Sequence, residues 1–262
     1  SMSSPQRPCG ACGGPVAPGA AFCPHCGSRQ AGHERADGAA PTKRPRGGSG
    51  SWKGLKRLLA FYGVLMACSL ALGLALHLDD SPWFTVGFSA IWIGLTLGFL
   101  AREWNAVKGA FRVRRAKGTD LLLIIGASAF AVLVLQGYFA LLVRLGWEMS
   151  KTGSDTLGAG WPLWSVFLLD SVEPGLIEEV AFRGILQTRL SQIVSRNEAL
   201  VIQAALFSIL HLSPAIFISH FIMGLLFGWV RQRSGHVYYG MLLHMGWNAY
   251  VIWEGLGHRV PA

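Results

Sequence analysis

Residues 120–143 read DLLLIIGASAFAVLVLQGYFALLV, an apolar run whose only charged residue, Asp120, stands at its edge. As a helix it is about 36 Å long at ~1.5 Å per residue, enough to cross a hydrocarbon layer ~30 Å thick. Comparable runs occupy residues 58–78 and 83–101, and a fourth begins near Trp161. From there polar residues interrupt the apolar stretches at 161–193, 198–212, 214–230 and 237–254. The count is seven candidate spans, with tight helical hairpins expected at Asp79–Pro82 and Ser213–Pro214. The predicted class is all-α: a polytopic transmembrane helix bundle of about seven spans, with a small N-terminal zinc-ribbon module.

Composition agrees. Of the 262 residues 52% are hydrophobic and 14% charged, with a mean hydropathy of +0.40, against roughly 25% charged in soluble domains. The first 50 or so residues dilute that excess and read separately. Ser1 reads as a cleavage scar ahead of Met2, and no charged segment followed by a cleavable apolar one comes after it. Four of the five cysteines form two pairs, Cys9-x-x-Cys12 and Cys23-x-x-Cys26. Each pair can offer two thiolates to one tetrahedral ion, and together they complete four ligands for a structural zinc. Pro8, Gly10, Gly13, Pro24 and Gly27 favour the turns this needs. Two disulfides in an exported tail, or a tail with unligated thiols, are the alternatives. His25 faces solvent in this reading, and Cys68 is ordinary helix packing. Residues 27–51 are rich in Gly, Ala, Pro, Arg and Lys without apolar periodicity, as in a flexible linker. The expected organisation is a zinc ribbon at 1–30, a basic linker at 31–54, N-terminal transmembrane helices at 55–157 and a catalytic transmembrane core at 158–262.

Charge orients the spans. Residues 1–57 hold nine Lys or Arg and two acids, and residues 102–118 hold Arg102, Lys108, Arg112, Arg114, Arg115 and Lys117 against Glu103. Both segments fall on one side by span parity, together with the ends near Arg183–Arg196 and Arg231–Arg233. That side is predicted cytoplasmic, with the C-terminus outside. Membrane orientation explains the basic tail more economically than nucleic-acid binding does. Residues 104–117 read either as an amphipathic helix along the inner leaflet or as a solvated loop.

Ionisable groups in a span are costly and point to a bundle interior or a wet cavity. Here they concentrate in the C-terminal half. Pro174-Gly175-Leu176-Ile177-Glu178-Glu179-Val180-Ala181-Phe182-Arg183 places two acids and a base on one helix, with Glu179 and Arg183 at i, i+4, able to neutralise each other. Pro174 and Gly175 could kink that helix. His211 follows four residues after Phe207, and His244 stands four before Asn248, on one helix face. Counted from the basic ends, Glu178, His211 and His244 lie at roughly 27, 22 and 17 Å, so the cluster can meet near mid-membrane. Gly224 and Gly228 form a GxxxG step read as packing. His220 is a weak candidate to line the cavity. No role is assigned to His77, His236 or His258.

A glutamate beside histidine in a partly dry cavity suits a general base for water. A histidine N–H and an asparagine amide suit the oxyanion of a cleaved amide. No Gly-x-Ser-x-Gly elbow is present, and the His33-Glu34 pair lacks the spacing of a zincin helix.

These motifs resemble those of the CAAX protease and bacteriocin-processing family of intramembrane endopeptidases, also called the Abi family. Its Glu-Glu-x-x-x-Arg corresponds to Glu178, Glu179 and Arg183, its Phe-x-x-x-His to Phe207 and His211, and its His-x-x-x-Asn to His244 and Asn248. The resemblance covers about residues 161–254. It implies that Glu178 with His211 activates water, that His244 and Asn248 stabilise the oxyanion, and that Glu179 with Arg183 shapes the site. The family is often labelled metal-dependent, but four zinc ligands are not evident in the spans, and the reading leans toward no catalytic metal. The implied partners are a peptide or protein substrate, lipidated or membrane-embedded, and the bilayer, with homo-oligomers left open. The expected location is a prokaryotic inner membrane. The competing reading is a proteolytically inactive scaffold or immunity protein that binds a partner through the same cluster. A transporter is disfavoured because no inverted hydropathy repeat is visible.

Overall fold

The structure, a computed structural model, describes residues 7–8, 15–16, 49–78, 82–113, 117–147 and 160–257. The chain divides into two units, Ser1–Lys43 and Arg44–Ala262. In the first, β1 (Arg7–Pro8) and β2 (Pro15–Val16) pair antiparallel, Arg7 opposite Val16 and Pro8 opposite Pro15. Cys9, Cys12, Cys23 and Cys26 lie outside the described residues, as do Asp79, Asp80, Arg114, Arg115 and His258.

The second unit contains seven helices among its described residues, one for each predicted span. They are α1 (Ser49–Leu78), α2 (Pro82–Val107), α3 (Gly118–Arg144), α4 (residues 163–190), α5 (Arg196–Leu210), α6 (Pro214–Ser234) and α7 (Tyr238–Gly257). Four segments are long and apolar enough to cross a membrane: Gly54–Leu72, Trp83–Phe111, Gly118–Arg144 and Pro214–Ser234. Only 17% of the most apolar window in each of the first three is buried. Oil-like surface therefore faces outward, the arrangement a lipid solvent stabilises. The chain is a helical integral membrane protein.

α4 is one helix with two widened, π-type segments, Leu168–Val172 and Glu179–Leu186. The first lies just before Pro174. That proline has no N–H for the Asp170 carbonyl and its ring would collide with it; widening shifts the bond pattern, and the Glu173 N–H reaches back five residues to the Leu168 carbonyl. The helix bulges where a break was possible, and it continues. At the end of the second segment the Gln187 N–H likewise bonds the Phe182 carbonyl. Such bulges turn side chains off the regular face and recur at functional sites.

Contacts at the basic ends set the position of α4. Glu103 of α2, almost fully buried, takes Arg57 of α1 at 3.3 Å and Arg189 of α4 at 3.2 Å. Within the stretch 104–117, read either as an amphipathic surface helix or as a solvated loop, the described residues 104–113 instead extend α2 to Val107 and then tighten into a single turn, Lys108–Phe111. It docks on the bundle because Gly184 leaves room: a Cβ there would lie 2.7 Å from the Phe111 ring. The Val237 N–H also bonds the Ala110 carbonyl at 3.0 Å. Elsewhere Phe61 and Phe99 stack between α1 and α2 at 4.3 Å. Tyr62 of α1 donates to the Leu206 carbonyl of α5 at 3.0 Å.

α5 starts with a reciprocal Ser195/Glu198 capping box, which satisfies two N–H groups of its first turn. Its 15 residues span about 22 Å, short of a full hydrocarbon layer. It ends at Leu210, so His211 is the first residue past the helix and not part of it. Leu212 then takes a positive φ of 53°, which costs a non-glycine residue ~1 kcal/mol or more, and Pro214 opens α6.

Candidate active site

The wide turn of α4 buries every residue from Glu179 to Leu186. Arg183 Nη1 lies 2.8 Å from Glu179 Oε1, both side chains fully buried. The contact is an ion pair more than an aligned hydrogen bond, since Arg183 Nε and Nη1 have no well-directed acceptor among the described residues. Aromatic rings face the guanidinium instead, Phe207 at 4.4 Å and Phe227 at 5.3 Å from its carbon, and cation–π attraction offsets part of the desolvation. Its Nη2 approaches the Gly224 carbonyl at 3.4 Å.

That carbonyl also accepts from Gln203 at 2.8 Å, and the Gly228 carbonyl accepts from Gln187 at 3.0 Å. The GxxxG step therefore does more than pack. At Gly224 a Cβ would fall 2.8 Å from Ala204 Cα. The absence of side chains brings α5 close enough to α6 for its buried Gln203 to bind the Gly224 carbonyl, and Gln187 of α4 binds that of Gly228.

His244 of α7 joins both acids. Its Nδ1 lies 3.2 Å from Glu179 Oε1 and its Nε2 3.8 Å from Glu178 Oε2. A carboxylate only accepts, so Nδ1 carries the proton, and Nε2 can donate only when the ring is an imidazolium. Phe227 stacks on the ring at 5.0 Å. Two glycines permit the approach of α7 to α4. A Cβ on Gly240 would meet Glu179 Oε2 at 2.7 Å, and one on Gly175 would meet the Met245 backbone nitrogen at 2.9 Å. Ser171, in the first wide turn, donates to the Met245 carbonyl at 2.8 Å. Asn248 stands one turn beyond His244, half-buried.

Glu178 and His211 open onto one cavity of about 310 Å³, walled by α1 and α2 with Trp92 and Ser89 and shared with Glu173. The His211 Nδ1 lies 2.8 Å from the Phe207 carbonyl. A carbonyl cannot donate, so Nδ1–H does, leaving Nε2 of the neutral ring as an acceptor for a water proton or a ligand for a metal. His220 packs beside it with ring centroids 3.9 Å apart, its own Nδ1 on the Ile216 carbonyl at 2.9 Å. Among the described residues no three or more His, Cys, Asp or Glu side chains are grouped to hold a metal ion.

The structure thus brings Glu178, Glu179, Arg183 and His244 into contact and sets His211 with Glu178 on one cavity. Sequence reading passed over Glu173, whose signal was an acid in an apolar span, and gave His220 little weight. It also missed Gly175 and Gly240, which nothing local marks as contacts of α7. No curated protein and no solved structure matches the chain. Residues 160–250, a segment that holds all six candidate side chains from Glu178 to Asn248, match the Rce1-like family, described as type II CAAX prenyl endopeptidase Rce1-like.

Proposed function

We propose that the chain is an intramembrane endopeptidase of the CAAX-protease type. Glu178 accepts a proton from a water in the cavity, His211 Nε2 holds that water, and the resulting hydroxide attacks a peptide carbonyl. The proton passes to the departing amine. His244, as an imidazolium, and the Asn248 amide donate to the carbonyl oxygen as charge develops. Glu179 and Arg183 position the His244 ring. Before Glu178 takes the proton the charges balance, the Glu178 and Glu179 carboxylates facing the Arg183 guanidinium and the His244 imidazolium. One observation carries the reading above the others: Glu178 shares a cavity with His211 while His244, held by Glu179, reaches Glu178.

The test is cleavage of membrane-embedded and prenylated peptides by the purified full chain. Glu178→Ala and His211→Ala should each lower turnover by roughly 10²–10⁴-fold, the usual contribution of general acid–base catalysis, with unchanged helical content. Wild-type turnover in both variants would falsify the assignment.

In the same reading the seven helices form the bundle that crosses the membrane, α5 stopping short of its far face, with the basic ends and the N-terminus cytoplasmic. Cys9, Cys12, Cys23 and Cys26 hold one structural zinc. The support is that Cys9 and Cys12 fall in the sequence between the paired strands β1 and β2, as a zinc knuckle requires. Elemental analysis of the purified chain should find one zinc, lost on replacing Cys9 and Cys12 with serine; a metal-free chain rejects the ribbon.

A further inference from the structure

A second cavity, of about 480 Å³, lies where the basic ends of α3, α4, α5 and α6 meet. Lys117, Arg196, Arg231 and Arg233 line it, against a single acid, Asp120. Asp120 is taken by Arg233 at 2.8 Å. The other three cations have no ion-pair partner among the described residues. Arg231 is the most telling. Its Nη2 donates to Thr188 Oγ1 at 2.6 Å, while its buried Nε has no hydrogen-bond partner among the described residues. A buried guanidinium N–H left unmatched costs free energy unless an acceptor reaches it.

The N-terminal end of α3 at the cavity adds to the positive field. α3 begins here without a side-chain cap, so its first free N–H groups and the positive end of its dipole are available to an anion. The C-terminus of α6 has the opposite sign, but two of its last carbonyls are occupied: Gly235 N–H bonds Arg231 O at 2.9 Å, and Arg196 donates to Gln232 O at 2.9 Å. The active-site cavity shares none of these residues.

We propose that this pocket binds a phosphate group, as carried by an anionic lipid headgroup at the membrane surface. Guanidinium forks match phosphate oxygens geometrically, and basic pockets between the ends of spanning helices suit lipid headgroups. The site is independent of proteolysis and needs no substrate.

Thermal unfolding of the detergent-purified full chain tests this with dioctanoyl phosphatidic acid, dioctanoylglycerol as the phosphate-free lipid, and inorganic phosphate. Phosphatidic acid should raise Tm and dioctanoylglycerol should not. The binding midpoint should weaken about tenfold in Arg231→Gln, and similarly in Lys117→Gln with Arg196→Gln, whose exposed positions leave the fold intact. A shift from inorganic phosphate at the same concentrations supports the site with a soluble source. Equal shifts from phosphatidic acid and dioctanoylglycerol, or a wild-type midpoint in the double variant, would overturn it.

Discussion

α3 and α4 are built in opposite senses. In α3 the side chains of Leu122, Phe130 and Leu133 are each about two-thirds exposed or more, and the helix meets its neighbours along a narrow seam. Leu135 packs with Met223 and Phe227, and Tyr138 donates to the Ala215 carbonyl at 2.6 Å. In α4 the stretch from Glu179 to Leu186 is entirely buried, its two charged side chains fully enclosed. Lipid accepts a leucine as readily as the protein interior does, so nothing drives α3 inward. It does not accept a guanidinium, so Arg183 must find its partners inside the bundle. A long uninterrupted apolar window consequently marks α3, whereas the charged residues of α4 break its apolar run.

Breaking the α4 arrangement should have the largest effect. Arg183→Leu leaves Glu179 buried without its ion pair and should cost about 3–5 kcal/mol, read from unfolding in mixed micelles. Adding Glu179→Leu should recover part of the loss, because the uncompensated charge is then gone. A double variant as unstable as the single one would show that Arg183 matters through its ring contacts. Gly240→Ala should come next, at about 1–3 kcal/mol of overpacking, since the new Cβ falls 2.7 Å from Glu179 Oε2. It should lower turnover as well, by shifting the carboxylate that holds His244. The smallest effect belongs to α3: Leu122→Ala on its outer face should change stability by no more than about 0.5 kcal/mol. A loss comparable to that of Gly240→Ala would mean that this face is covered by another protein surface.

The same contrast explains which parts of the site could be read from residues alone. Glu179 and Arg183 are partners within one helix turn, so spacing sufficed to pair them. Helix positions were legible because apolar length and interrupting charges are local properties. Three features were not. His211 was placed inside α5, but the helix stops at Leu210, where a short turn through Leu212 leads to Pro214. Residues 104–117 looked equally suited to lie on a membrane or in solvent, because the docking place of Phe111 is the missing side chain of Gly184 on another helix. Gly175 was legible only as a possible kink beside Pro174, and Gly240 resembled any glycine of a membrane helix, yet each marks a close approach of α4 and α7.

By itself the sequence determined that this chain is a bundle of apolar helices, that its ionisable residues gather in the last third, and that one acid and one base share a helix face. Those follow from composition and from spacing within a turn. The tertiary structure decided that His244 bonds the acid already held by Arg183, that Glu178 and His211 share a cavity with Glu173, and that four basic helix ends enclose a second pocket. Each depends on contacts between residues tens of positions apart, and such contacts are set by which helix surfaces fit closely enough to bury polar groups with their partners.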